Sequence, residues 1–104
     1  MATIKLRAKN SSDGECEVKA IMTHPMESGL RKDANSGELI PANHIREVIC
    51  KHGDKTVLTA NWGGAVSKNP YIAFKFNGAK KGESISLTWI DNNGASESEE
   101  TQIR

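Results

Sequence analysis

The stretch that decides the fold is Ser84-Ile85-Ser86-Leu87-Thr88-Trp89-Ile90, followed three residues later by Asn93-Gly94. Its apolar side chains alternate with small polar ones, and successive side chains of an extended segment point to opposite faces. Asn-Gly between two extended segments is a strong signal for a tight hairpin turn. The stretch therefore predicts a strand with one buried face that turns into a second strand over residues 96–103.

Five other segments have strand character and are separated by turn residues. The predicted strands lie at 3–8, 15–23, 45–51, 56–60 and 70–76. Segment 70–76 is apolar on both faces, which predicts a central strand with Pro70 at its first position. The last strand carries Glu97, Glu99 and Glu100, and these charges favour an edge. About seven strands at this spacing predict an all-β fold, an immunoglobulin-like antiparallel β-sandwich, with residues 1–104 as one domain.

Composition excludes several classes of function. The formal charge is +1, and the chain has one Tyr, two Phe and two Trp. Nucleic-acid binding usually needs a basic stripe or an aromatic platform, so no nucleic-acid partner is expected. No apolar run approaches the ~20 residues of a membrane helix, so no membrane role is expected. The first residues lack the apolar core of a signal peptide, which predicts a cytoplasmic protein, one whose signal is missing from this sequence, or one exported with a partner that has a signal.

The two cysteines, Cys16 and Cys50, lie within strand patterns. They could form one bridge, which would stabilise by ~4 kcal/mol in the chain-entropy model. Two buried thiols that act as small hydrophobic side chains are the favoured interpretation.

The long connection after the second strand carries the most unusual chemistry. It begins His24-Pro25-Met26-Glu27-Ser28-Gly29-Leu30-Arg31-Lys32-Asp33 and runs to about residue 42, with Asn35-Ser36-Gly37 as a tight turn inside it. Folding alone does not require a stiff Pro, a flexible Gly, a His and charges of both signs in one loop. Loops on a rigid scaffold often carry binding residues, so this segment is the main candidate site.

A metal site is the main enzymatic alternative. His24, Cys50 and His52 are suitable ligand types, and His44 adds another. The His-Pro-Met run followed by Cys-x-His-Gly is distantly similar to the iron site of superoxide reductases, which are small β-sandwiches. A ligand set needs the correct number and geometry, and strand alternation predicts that Cys50 points inward. A stand-alone immunoglobulin-like binding module is the third hypothesis.

Three segments taken together resemble the SoxZ family. They are the ten residues from His24 to Asp33, then Val66-Ser67-Lys68-Asn69-Pro70-Tyr71-Ile72-Ala73-Phe74, and Leu87-Thr88-Trp89-Ile90-Asp91-Asn92-Asn93-Gly94. The resemblance implies a non-catalytic subunit that pairs with SoxY in thiosulfate oxidation. SoxY carries sulfur intermediates on a Cys in a Gly-Gly-Cys-Gly-Gly tail, which moves between periplasmic enzymes. The resemblance further implies export together with SoxY and transient contact with the other Sox enzymes.

We expect no catalytic residue, metal or cofactor in such a subunit, because it holds the carrier and does not itself carry sulfur. The residues expected to bind the partner are His24, Pro25, Met26, Gly29, Leu30, Arg31, Asp33, Asn69, Pro70 and Tyr71. In this hypothesis Met26 and Leu30 fill pockets of SoxY, while Arg31 and Asp33 orient it through charged hydrogen bonds. The alternatives are that Arg31 and Asp33 form an internal loop clasp and that Met26 caps the core. Isolated from its partner, the chain is expected to self-associate.

Overall fold

Seven antiparallel strands form two facing sheets. The computed structural model describes residues 4–11, 14–63, 66 and 68–104. The strands are β1 (Ile4–Asn10), β2 (Glu15–Met22), β3 (Ile45–His52), β4 (Lys55–Asn61), β5 (Tyr71–Asn77), β6 (Ser84–Asp91) and β7 (Ser96–Gln102). The predicted all-β sandwich is confirmed, with strand ends within two residues of the prediction. Thr3, the expected first residue of β1, and Ser67 of the second motif lie outside the described residues.

The sheet orders are β1-β2-β5 and β4-β3-β6-β7. In a constant-type immunoglobulin domain the fourth strand joins the sheet of the first, whereas here β4 pairs with β3. No helix in the described part of the chain is long and apolar enough to span a membrane.

The core lies between the sheets and follows the predicted alternation. Ile85, Leu87 and Trp89 of β6 are buried, as are the inward residues of β2 and β3. Cys16 and Cys50 are both fully buried and unbridged, which confirms the interpretation as two buried thiols. Burial raises the pKa of the Cys50 thiol to about 12, with a smaller contribution from nearby Cys16. Burial also raises the pKa of Cys16.

The two turns predicted from Gly-containing sequences are present. Gly94 adopts φ +86° between β6 and β7, and its N–H donates to Asp91 O at 3.2 Å. Within the long loop, Gly37 N donates to Asp33 O at 2.9 Å. Both glycines have the left-handed backbone that other residues adopt only at a steric cost.

The prediction that segment 70–76 is a central strand is wrong. β5 lies at the edge of the three-stranded sheet and has β2 as its single neighbour in the described part of the chain. Apolar residues on both faces of a strand do not show how many strands lie beside it, and here the outward residues Tyr71 and Ala73 are exposed. β7 is an edge strand, as its charges predicted.

The sandwich has two unlike flanks. We call β1 and β7 the closed flank, because these two edge strands pack against each other across the sheets. Arg104 N donates to Ala8 O at 3.0 Å, and Asn10 N donates to Arg104 O at 2.9 Å, which ties the chain end to β1. We call β4 and β5 the open flank, because they do not pack against each other in this way over their described residues.

Candidate functional site

Three motifs that are far apart in sequence meet around His24 at one end of the sandwich. The His24 backbone N–H donates to Asn69 Oδ1 at 3.1 Å, and Asn69 N donates back to His24 O at 3.0 Å. The His24 ring lies edge-on against Trp89, with ring centroids 5.0 Å apart. Its Nε2 lies 3.4 Å from Asp91 Oδ2. The His24 loop, the start of β5 and the end of β6 are therefore held together.

Both ring nitrogens of His24 have a partner. The backbone N–H of Met26 donates to His24 Nδ1 at 3.1 Å. The other ring nitrogen, Nε2, faces Asp91 Oδ2. Asp91 Oδ1 accepts from the N–H groups of Asn93 and Ala95, each at 2.9 Å. One carboxylate therefore connects the β6–β7 turn to the buried histidine.

Met26 lies inside the sandwich. Its side chain is 6% exposed, and its backbone has a positive φ of +51°. The Met26 sulfur accepts a hydrogen bond from Ile45 N at 3.3 Å. In this chain the residue therefore caps the core at the start of β3, which was the alternative interpretation. Its contact with a partner stays a prediction.

Gly29 sets the path of the loop where it passes residue 42. Its φ is +88°, and a Cβ at this position would lie 3.2 Å from Ala42 Cβ. A larger residue would meet both a strained backbone and a close neighbour, so the sequence needs glycine here.

Arg31 and Asp33 make separate hydrogen bonds, although their opposite charges also attract each other. Arg31 makes a bidentate pair with Glu27, with Nε–Oε2 at 3.1 Å and Nη2–Oε1 at 2.5 Å. The hydrogen bond from Arg31 lowers the pKa of Glu27. Asp33 Oδ1 accepts from Asn35 N at 2.8 Å and Ser36 N at 3.1 Å, and these backbone bonds lower the Asp33 pKa. The structure gives both residues internal partners within the loop, while their proposed contacts with SoxY stay predictions.

The residues that remain available to a partner are the exposed members of the predicted set. Leu30 is 82% exposed at the loop surface, and Tyr71 is 56% exposed at the start of β5. Tyr71 lies opposite Ile21 of β2, which is itself 44% exposed, so the two form an apolar cross-strand pair. Pro25 and Asn69 are exposed, whereas Pro70 is buried. The predicted set therefore divides into exposed residues and buried residues that position them.

Sequence reasoning missed the bracing role of residues 91–93. His44 N donates to Asn92 Oδ1 at 2.8 Å, Asn92 N donates to His44 O at 3.0 Å, and Asn92 Nδ2 donates to Ala42 O at 3.0 Å. These bonds fix the far end of the long loop. A run of Asp and Asn after a strand was the available signal, because their side chains readily bond nearby backbone groups.

An open cleft of about 480 Å³ lies beside the loop, between Pro25–Ser28 and Lys68. Arg31 contributes to its wall and is neutralised there by Glu27. With Lys68 also in its lining, the cleft carries two cationic side chains and one carboxylate, which leaves a small positive excess.

The metal-site hypothesis is wrong in its ligand set. His24 packs beside Asp91 at the end of the sandwich where β3 begins, since Ile45 pairs with Asp91. His52 is the last residue of β3, with Nε2 3.0 Å from Glu83 Oε1. Seven steps along a strand span ~23 Å, so His24 and His52 cannot bind one ion. The described residues contain no group of three side chains that could hold a metal.

Comparison with known proteins agrees with the architecture and supplies a family. No curated protein sequence matches the chain. A superoxide reductase (neelaredoxin) from Ignicoccus hospitalis has a similar structure, with a TM-score of 0.65 and 15% identity over 99% of this chain and 80% of that chain. At this identity the likeness concerns the fold alone. The family model described as sulphur oxidation protein SoxZ matches residues 4–102. The chain therefore belongs to the SoxZ family of sulfur oxidation proteins.

Proposed function

We propose that this chain is the non-catalytic subunit of a sulfur-carrier complex, in which it binds SoxY and presents the sulfur-bearing cysteine of SoxY to the other Sox enzymes. Family membership makes it a subunit of a Sox sulfur-oxidation system. The observation that carries the proposal is the state of its own thiols. Both are completely buried, and the pKa of Cys50 is raised to about 12.

A carrier thiol must be exposed and must ionise, because the thiolate is the form that attacks and transfers sulfur. Neither condition holds for Cys16 or Cys50, since burial raises the pKa of each. The sulfur must then be carried on another chain. This division of roles is what the SoxZ family implies for SoxY.

The exposed apolar side chains support a binding role. Ile21, Leu30, Leu39 and Tyr71 are all more than 40% exposed. Ile21 and Tyr71 lie opposite each other on neighbouring strands, and contiguous exposed apolar side chains mark interaction sites more often than isolated ones do. Tyr71 also suits an interface because it offers a large rigid area and a hydroxyl group.

The bracing around His24 supports presentation as well as binding. Hydrogen bonds accepted by the side chains of Asn69, Asp91 and Asn92 hold the loop and the start of β5 in one arrangement. A surface that is already ordered loses less conformational entropy on binding. A rigid base of this kind suits a subunit that orients a mobile tail.

The first experiment is co-expression with SoxY, followed by gel filtration at micromolar concentration and native mass spectrometry. We expect one peak with a mass equal to one copy of each chain. Elution of the two chains in separate peaks would contradict the proposal and would favour a stand-alone module. Lys51→Ala changes an exposed position on β3, away from the predicted binding residues, and this control variant should give the same single peak.

A second experiment locates the sulfur. Purified complex is incubated with thiosulfate and the other Sox proteins, and each subunit is weighed by mass spectrometry under non-reducing conditions. We expect adducts on SoxY alone. A persulfide or thiosulfonate on Cys16 or Cys50 would contradict the division of roles.

The proposed compartment is the periplasm, reached together with SoxY. Cell fractionation with and without the export signal of SoxY tests this. Loss of this chain from the periplasm when SoxY cannot be exported is the expected result, and its unchanged presence there would contradict joint export.

A further inference from the structure

β5 has the sequence of an interior strand but lies at an edge. Its inward residues are Ile72, Phe74 and Phe76, and its outer face begins with Tyr71 and Ala73. Natural edge strands are usually protected by charge, bulges or a covering element. β5 carries a single charged residue, Lys75, in seven positions. Among the residues that the structure describes, this edge therefore has little of the usual protection against pairing with another chain.

The backbone of β5 presents its free hydrogen-bonding groups in a regular row. Met22 N donates to Pro70 O at 3.0 Å, which fixes this pair as hydrogen-bonded in the β2–β5 ladder. Bonded and non-bonded pairs alternate along an antiparallel ladder. The N–H and C=O groups of Tyr71, Ala73 and Lys75 consequently point away from β2, towards the open flank.

The interior beside this edge is incompletely covered. Apolar side chains of both open-flank strands are only partly buried against the core. They are Leu58 and Ala60 of β4, Trp62 just after β4, and Ile72, Phe74 and Phe76 of β5. On the closed flank Leu6 of β1 is 9% exposed, and Ile103, which directly follows β7, is 2% exposed. Apolar surface left at the open flank would be removed from water by a strand laid beside β5.

The outer face of the same sheet defines the chemistry of that strand. Ile21 and Tyr71 form an exposed apolar pair next to the edge. The rest of this face carries five basic side chains and two acidic ones: Lys5, Arg7, Lys9, Lys19, Lys75, Glu15 and Glu17. A complementary strand has apolar side chains on its inner face and acidic side chains on its outer face.

We propose that an extended strand of SoxY pairs with the free edge of β5 and extends the three-stranded sheet to four strands across the two chains. The proposal rests on the proposed function and names the surface that serves it. Strand addition supplies affinity through backbone hydrogen bonds and specificity through alternate side chains. The sequence of β5 is then that of the central strand it becomes in the complex. The bonds between His24 and Asn69 hold the start of this edge in place.

The test compares SoxY binding by the wild type, Ala73→Pro and Glu100→Pro. Proline at 73 removes an N–H that points away from β2, and edge strands tolerate this change. Glu100 is the corresponding position on β7, because Asp91 N donates to Ala95 O at 2.9 Å and the alternation turns the Glu100 N–H away from β6, where it donates to the exposed side chain of Glu99 at 3.2 Å. We expect Ala73→Pro to raise the Kd about tenfold, and Glu100→Pro to change it by less than about twofold. Circular dichroism checks that each variant is folded.

A photo-crosslinking amino acid placed at Ala73, and at exposed Ser98 of β7 as the control, gives a measurement that does not depend on proline. We expect position 73 to cross-link to SoxY and position 98 not to do so. If the wild-type complex forms normally, an unchanged Kd for Ala73→Pro together with no cross-link from position 73 to SoxY would overturn the β5 pairing. The proposed function would still stand. Cross-linking of position 73 to a second copy of this chain, and not to SoxY, would overturn it as well. Absence of any wild-type complex would instead overturn the proposed function.

Discussion

The closed and open flanks of this sandwich solve the problem of sheet edges in opposite ways. β1 carries Lys5, Arg7 and Lys9, and β7 carries Glu97, Glu99 and Glu100. These strands pack against each other, and the inward residues of β1 (Ile4, Leu6 and Ala8) are buried. β4 and β5 carry one charge each, Lys55 and Lys75, and the apolar residues behind them are half-buried.

The difference indicates which flank is complete within this chain. Charged edges discourage pairing with other chains, and a sequence retains them where no partner binds. An apolar edge with a single charge is a liability for an isolated protein and is useful to a subunit that has a permanent partner. In a chain of 104 residues one unfinished flank is a large part of the core.

The largest expected effect comes from a matched pair of leucines. Leu87 of β6 and Leu58 of β4 both pair with Cys50 of β3, one on each side. Leu87→Ala leaves a cavity in the fully buried core and should lower the free energy of unfolding by about 3 kcal/mol. Leu58→Ala, at the open flank, should cost about 1 kcal/mol in the isolated chain. Urea denaturation measures both, and equal losses would remove the distinction between the flanks.

A smaller effect is expected where the open flank begins. Asn69→Ala removes the acceptor for His24 N and places alanine at φ +52°, so it should destabilise the chain by about 1–2 kcal/mol. Asn69→Gly loses the same bond but accepts the backbone angle, and should recover about half of that loss. Ser98→Ala is the counterpart on the closed flank, where it removes the hydroxyl bond to Thr88. Because Ser98 is exposed, a loss below about 0.5 kcal/mol is expected. Thermal denaturation ranks the three variants, and a cost for Ser98→Ala equal to that of Asn69→Ala would contradict this ranking.

Measurements of self-association distinguish the two flanks in the folded chain. The isolated protein should form dimers or larger species as its concentration rises, because β5 can pair with another copy. Ala73→Lys adds a charge at the open edge and should shift this equilibrium towards monomer by about tenfold in concentration. Ser96→Lys on β7 should leave it unchanged. Sedimentation equilibrium is the measurement, and equal responses of the two variants would show that the open edge is not the contact.

The smallest effect belongs to the loop and depends on pH. The pKa of Asp33 is lowered by backbone hydrogen bonds from Asn35 and Ser36. A depressed carboxyl pKa contributes stability that is complete above the ordinary value of about 4 and is lost as the pH falls through the folded value. The amide NMR signals of Asn35 and Ser36 should therefore shift at a pH below 4, and these shifts should be absent in Asp33→Ala. A transition at or above pH 4 would contradict the bonding seen here.

Local pattern predicted most of the fold. Alternation located β6 with its buried Ile85, Leu87 and Trp89, and Asn93-Gly94 located the turn into β7. The edge position of β7 followed from its charges. β5 was predicted to be central because it has apolar residues on both faces. That pattern is found both in strands that are central within one chain and in strands that are central only in a complex. A single sequence does not separate these two cases.

The site was predictable only in part because its bonds join distant segments. The sequence indicated that the loop from His24 was important, but the partner of the buried ring is Asp91, 67 residues away. The clasp alternative paired Arg31 with Asp33. Arg31 instead makes its side-chain hydrogen bonds to Glu27, four residues earlier in the same loop. Such choices depend on the path of the chain in space, which residue type and spacing do not determine.

Amide hydrogen exchange, compared between the isolated chain and its complex with SoxY, tests the completion of the open flank most directly. The account predicts that the amides of Tyr71, Ala73 and Lys75 exchange quickly in the isolated chain and become protected in the complex, while the outward amides of β7 change little. New protection confined to β1 or β7, with β5 still exchanging freely in the complex, would contradict it.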